Sequence, residues 1–236
     1  MKRSLVIIPT YNEIENIEKM LRTVFALPLS FEVLVVDDGS PDQTAAKVKE
    51  LQKEFGTKLH LIERIGKLGL GTAYITGFKY ALEQNFELVF EMDCDFSHNP
   101  NDLLKLYEAC SREDVDVAVG SRYVSEGGFR NWPMFRVFLS KFASYYVEFI
   151  LGTGVKDSTA GFVCYKAEVL KSIDLNAIKF IGYAFQIEMK YKAKLQGFKI
   201  LEIPIIFTDR VLGESKMSRG IIKEAVFGVW RLRKEH

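Results

Sequence analysis

Residues 87–100 read ELVFEMDCDFSHNP. An apolar run, Leu88-Val89-Phe90, ends in two aspartates, Asp93 and Asp95, one residue apart. Residues two apart on an extended chain point to the same side, so both carboxylates leave the strand end together. Hard oxygen ligands at that spacing suit Mg²⁺ or Mn²⁺, which take one or two carboxylates plus phosphate oxygens. Two aspartates capping a turn have the same local pattern, so the surroundings decide.

Working outward, two more polar clusters follow apolar runs: PTYNE (9–13) after 4–9, and VDDGSPD (36–42) after 31–37. Further strands are expected at 58–64 and 115–121, with helices over 14–26, 41–55, 71–85 and 101–112. Ser40 as N-cap, Pro41 at the first helical position and Gln43 closing a capping box set the start of the second helix. Repeated strand–helix units with near-continuous apolar strands imply a doubly wound, mostly parallel α/β sheet with helices on both faces. Ligands of such sheets bind beyond the carboxyl ends of the strands. Three acidic clusters on that edge repel each other unless a cation or donor-rich ligand sits among them.

The second half is less regular. A long amphipathic helix is expected over 133–151, a strand at 163–166, a helix over 185–196, and a strand over 199–207 that Pro204 places near an edge. A polar loop and a C-terminal amphipathic helix follow. The 236 residues fit one large domain, with residues 1–220 as the main unit and 221–236 as an appended helix. A net charge of +1 argues for no nucleic-acid partner. Cys94, Cys110 and Cys164 are widely spaced without a C-x-x-C pair, which points to reduced thiols in a cytoplasmic compartment rather than to zinc. No stretch approaches the roughly 20 apolar residues of a spanning helix.

Two smaller features are read conservatively. RIGKLGLG (64–71) fails both phosphate-loop patterns, because no G-K-[ST] is present and Tyr74 stands where the third glycine belongs. It is a plain turn or a nucleotide-contacting loop with Arg64 or Lys67 as its cation. In VDDGSPD, Gly39 and Ser40 are turn chemistry, while one of the two aspartates is assigned to a ligand. His98 is structural, Trp132-Pro133 starts a helix, and Phe162, Phe185 and Phe198 are core.

PTYNE, VVDDGSPD, EMDCDFSHNP, GSRYVSEGG, the D-S-T-A-G-F run (157–162), GYAFQIEM (182–189) and FTDRVLGESKMS (207–218) occur together and in this order. The set resembles the family 2, GT-A-fold glycosyltransferases, and within them the polyprenyl- or dolichyl-phosphate mannose synthases. The resemblance spans roughly residues 4–220. It implies inverting transfer of mannose from GDP-mannose to a polyprenyl phosphate with Mg²⁺ or Mn²⁺. Pro9, Tyr11, Glu13, Asp38, Lys67 and Asp93 are then expected around the nucleotide sugar. Asp95 is expected on the metal with Asp93 beside it, and Ser97, where many relatives carry Gln, contacts it through water. Arg122, Arg136, Ser140 and Arg210 are expected at the acceptor phosphate, with Lys216 in a loop over the site.

A lipid phosphate, with a second pKa of about 6, is already an anion near neutrality and needs no base. It needs forked cationic contacts, which arginines supply. Glu188 is the counter-candidate for a base. A polyprenyl phosphate also implies a membrane surface, reached peripherally on the cytoplasmic face or through a membrane partner. Phe135, Phe138, Phe142, Tyr145, Tyr146 and Phe149 on one helix, and Ile222, Val226, Val229 and Trp230 with Arg231, Arg233 and Lys234 on the last, have an interfacial profile. The competing readings are a UDP-sugar-dependent transferase, a nucleotidyltransferase (disfavoured by the absent glycine-rich loop after the first strand) and a non-catalytic nucleotide-sugar-binding module.

Overall fold

A computed structural model describes residues 2–182, 184–209 and 228–234. Seven strands form the central sheet: β1 (Ser4–Thr10), β2 (Phe31–Asp37), β3 (Leu59–Glu63), β4 (Leu88–Glu91), β5 (Val117–Ser121), β7 (Val163–Lys166) and β8 (Ile200–Pro204). Their order is β3-β2-β1-β4-β7-β5-β8. All neighbours run parallel except β7, which is antiparallel to both β4 and β5.

Strand residues alternate between two cores, as the period of two requires. Leu5, Ile7, Leu34, Val36 and Val89 face one layer, built on α3 (Leu70–Glu83), α5 (Met134–Leu151), α6 (Ala167–Ser172) and α7 (Ala184–Leu195). Val6, Ile8, Val33, Val35 and Phe90 face the other, built on α1 (Ile14–Phe25), α2 (Thr44–Phe55) and α4 (Leu103–Ser111). The strands are apolar throughout because both faces are covered. Helix α3 lies close on the sheet at Gly77, where an added Cβ would stand 2.7 Å from the Ile7 side chain.

Three expectations are corrected. Helix α2 starts at Thr44 rather than Pro41. Gln43 has φ +69°, outside a helix, and Asp42 rather than Ser40 accepts from the Thr44 amide (3.0 Å) and hydroxyl (2.6 Å). Ser40 instead donates to Asp37 through its amide and hydroxyl. The strand expected over 199–207 breaks at Ile205: β8 is a sheet edge, and β9 (Ile206–Thr208) pairs in parallel with β6 (Gly128–Arg130) in a separate two-stranded sheet. Val229, grouped above with Trp230, is buried in the core with Leu232, while Trp230 is half exposed.

The reversal at β7 positions the site. Val163 opens β7 opposite Glu91, the last residue of β4, and Val119 of β5. The loop over 152–162 therefore lands on the carboxyl edge that also carries the three acidic clusters.

Candidate active site

On the first side of this edge the loops lock into one another. Thr10 donates to Asp37 (2.8 Å), the Asn12 amide to the Ser40 hydroxyl (3.0 Å), the Glu13 amide to Thr44 (3.0 Å) and the Ile14 amide to Asp42 (3.0 Å). Asp37 is thereby a structural carboxylate. Buried Asp38 accepts from Arg64 Nε at 2.6 Å and from the Leu68 amide at 3.1 Å, and Arg64 also reaches Thr72 at 2.8 Å. RIGKLGLG is thus a loop stapled to Asp38 rather than a phosphate cradle. It sets Lys67 Nζ 5.0 Å from the Tyr11 ring. Gly39, at φ +66°, lets the loops approach: a Cβ there would stand 3.1 Å from the Gly66 nitrogen. Pro9, Tyr11 and Glu13 are partly exposed at the mouth.

Beyond β4, Met92 and Cys94 are buried while Asp93 and Asp95 are partly exposed, so both carboxylates lie on the open side as the spacing predicts. The Ser97 amide donates to Asp95 Oδ1 at 3.0 Å, and the buried Tyr74 hydroxyl stands 3.4 Å from Asp93 Oδ1. Ser97 is buried, and its carbonyl accepts from the Thr208 amide at 3.0 Å. Among the described residues no three His, Cys, Asp or Glu side chains group to hold a metal ion. Two carboxylates on one side fit an octahedral Mg²⁺ or Mn²⁺ that takes its other oxygens from a diphosphate and water. His98 is no ligand: its ring stacks on Phe162 at 5.0 Å and meets Phe207 edge-on, and burial holds its pKa down at about 4.

The other side of the edge is built on β5, α5 and the small sheet. Arg122 follows β5 and is clamped by buried Asp157: Nε to Oδ2 at 2.7 Å, Nη2 to Oδ1 at 2.6 Å, and the Arg122 amide to Oδ2 at 3.0 Å. Nη2 also reaches Thr159 at 3.0 Å. The rings of Tyr123, Phe129 and Phe207 lie 5.3–5.5 Å from the guanidinium. Ser140 accepts from the Tyr123 hydroxyl at 2.6 Å. Arg136 stacks 4.6 Å over the Trp132 ring and pairs with Asp209 at 3.3 Å. Trp132 itself stacks on Phe129 at the start of α5, the anchoring role expected of it. Arg210 and Lys216 lie outside the described residues.

Behind the aspartate pair lies a buried polar group of Glu91, Gln186 and Lys190. Burial raises the Glu91 carboxyl to about 8 and lowers the Lys190 ammonium to about 8, each partly offset by the charge of the other. Glu188 is buried as well, and its Oε2 accepts from the amides of Lys179 (3.0 Å) and Phe180 (3.2 Å), with Lys192 Nζ 3.2 Å from Oε1. Asp157 and Gln186 fall inside quoted runs of sequence and Lys190 directly follows one, but none received a role from it. The one signal was their charge or polarity amid apolar residues.

The glycosyl transferase family 2 pattern matches residues 5–174. The polyprenol monophosphomannose synthase of Mycolicibacterium smegmatis is 46% identical over 234 residues, 98% of this chain and 88% of that protein. The undecaprenyl-phosphate mannosyltransferase of Micrococcus luteus is 45% identical over 97% of this chain and 93% of its own. A mannosyltransferase from Pyrobaculum calidifontis, solved with GDP-Man and Mn²⁺, superposes with a TM-score of 0.61 at 21% identity; the match covers 99% of this chain and 61% of that one. Glucosyl-3-phosphoglycerate synthase from Mycobacterium tuberculosis, solved with Mn²⁺, UDP and phosphoglyceric acid, gives 0.68 at 17% identity over 98% and 78%. The two solved structures bear out the GT-A architecture, and the match over most of the sheet with the near full-length relatives places this chain in glycosyltransferase family 2.

Proposed function

We propose that this enzyme transfers mannose from GDP-mannose to a polyprenyl phosphate, with inversion and with Mg²⁺ or Mn²⁺. One observation carries the reading: a continuous set of contacts joins the aspartate loop to a helix suited to a lipid phosphate. Ser97 binds Thr208 of β9, and Asp209, next in the chain, pairs with Arg136 at the head of α5. That helix then presents Phe135, Phe138, Phe142, Tyr145 and Phe149 to solvent, Phe149 at 89% exposure. Of the expected aromatics, Tyr146 alone packs on the core.

In this reading Pro9, Tyr11, Glu13, Asp38 and Lys67 line the nucleotide pocket. Asp93 and Asp95 hold the metal against the diphosphate, with Ser97 acting through water. When bound, the metal neutralises charge on the leaving diphosphate. Arg122, Arg136, Ser140 and Arg210 are assigned to the acceptor phosphate, and Lys216 to closing the site. An acceptor oxyanion attacks the anomeric carbon in line as the nucleoside diphosphate departs, and no side chain removes a proton. The backbone bonds and Lys192 contact that occupy Glu188 support this base-free scheme. Mannose and the polyprenyl phosphate are supported by the names of the two near full-length relatives.

Residues 1–220 form the catalytic unit in this reading, and 221–236 an added helix at the membrane surface or a membrane partner. Among the described residues no helix is long and apolar enough to cross a membrane. The exposed aromatic row supports peripheral attachment, on the cytoplasmic face, where the three free thiols would stay reduced.

The test is incubation of purified protein with a short polyprenyl phosphate, Mg²⁺ or Mn²⁺, and separate sugar nucleotides, with the lipid product read by mass spectrometry. A hexosyl phospholipid from GDP-mannose alone is expected. Product from a UDP-sugar replaces the donor, and donor binding without product on any lipid phosphate removes the acceptor assignment.

A further inference from the structure

The polar group behind the aspartate pair has no part in the reaction described above. Lys190 lies wholly within the protein, and its Nζ donates to the Ala160 carbonyl at 2.6 Å, the Gln186 carbonyl at 3.2 Å and Gln186 Oε1 at 3.3 Å. Gln186 Nε2 donates in turn to Glu91 Oε2 at 2.6 Å. Burying an ammonium is costly, and apolar residues of similar volume at such places are often neutral or stabilising. The value of Lys190 therefore lies in what it holds.

Its shortest bond is to Ala160, whose amide donates to the Asp157 carbonyl at 3.2 Å and closes the turn over 157–160. The entry to that turn is held separately. Glu202 on β8 accepts from the amides of Lys156 (2.8 Å) and Asp157 (2.9 Å). Between these two grips stands the Asp157 carboxylate, with its three bonds to Arg122. The plane of the guanidinium is set by Asp157, and the place of Asp157 by Glu202 and Lys190.

We infer that Lys190 is a positioning residue for Arg122, acting through the Ala160 carbonyl and the 157–160 turn to fix the angle at which the guanidinium meets the acceptor phosphate. This rests on the reading of Arg122 as an acceptor-phosphate residue. Small misplacements of a positioning group are amplified in rate. The donor loops of β1 and β2 are held by bonds to one another and to the 64–71 loop, so the effect is expected to fall on the acceptor.

The test uses the full chain with Lys190→Met, and Lys190→Gln as a second variant, varying GDP-mannose and a short polyprenyl phosphate independently. Thermal melting is followed in parallel. The expected result is a loss of about tenfold or more in kcat/KM for the lipid with donor KM within about twofold. Added to Arg122→Lys, Lys190→Met should cause little further loss, because coupled residues are not additive. A donor KM raised in step with the lipid KM, no loss, or full multiplication in the double variant would overturn the inference. So would failure of both variants to fold, which makes Lys190 structural. A wild-type enzyme inactive on lipid phosphate removes the function itself, and this inference with it.

Discussion

Asp95 is aimed by a bond within its own loop, from the Ser97 amide to Oδ1. Asp95→Asn keeps an acceptor for that amide while removing the charge a divalent cation needs. Turnover is expected to fall about 10²–10³-fold, with the melting temperature unchanged and calorimetric Mn²⁺ binding lost. Glu188 makes the opposite case. Its carboxylate receives two backbone amides in the interior, so Glu188→Gln should lower stability by about 1–2 kcal/mol and leave kcat within severalfold. A complete loss of turnover in a folded, donor-binding Glu188→Gln protein would restore a general base. The side chains proposed for the donor were readable as strand-end clusters because each cluster is local, a few residues beyond a strand. Asp157 was not: it stands 35 positions from Arg122, and only the antiparallel entry into β7 brings the two together.

At the scale of elements, α3 depends on two glycines for its seat. A Cβ at Gly77 would enter the Ile7 side chain, and one at Gly71 would stand 2.8 Å from the Phe180 carbonyl and 2.9 Å from the Phe185 ring. Gly77→Ala gains helix propensity but overpacks a filled core. A net loss of about 1–3 kcal/mol is expected in denaturant melts, and an unchanged midpoint would show that α3 shifts to absorb the methyl. Long periodic segments were readable in advance, as β1, β2, α1 and α5 show. Other features were not, among them the direction of β7, the three-residue strand β6, and the start of α2. Direction is set by connections rather than by apolar content. Three residues are too few to show a period, and Ser40 is engaged by Asp37 and the Asn12 amide, leaving Asp42 to accept from the Thr44 amide.

For the whole molecule, the exposed row on α5 is the densest run of exposed large apolar side chains among the described residues. Phe138 and Phe142 are 70% and 61% exposed, so replacing both by serine removes little packing. The double variant should melt within about 0.5 kcal/mol of the parent but lose co-sedimentation with anionic vesicles at low salt. Unchanged sedimentation would move attachment elsewhere, Trp230 with its basic neighbours being the next surface to vary.

The strand order carries one more consequence. β3, β2, β1 and β4 come from a single run of chain ending at Glu91, and every later strand of the main sheet lies on the other side of β4. The reversed strand is the seam between two consecutive blocks, the first carrying the side chains proposed for the donor and the second those proposed for the acceptor phosphate. A crossover placed in the surface turn after α4 would exchange the acceptor block whole while cutting no strand. Such chimaeras offer a direct route by which one ancestral donor block could acquire new acceptors, and by which an engineer could do the same.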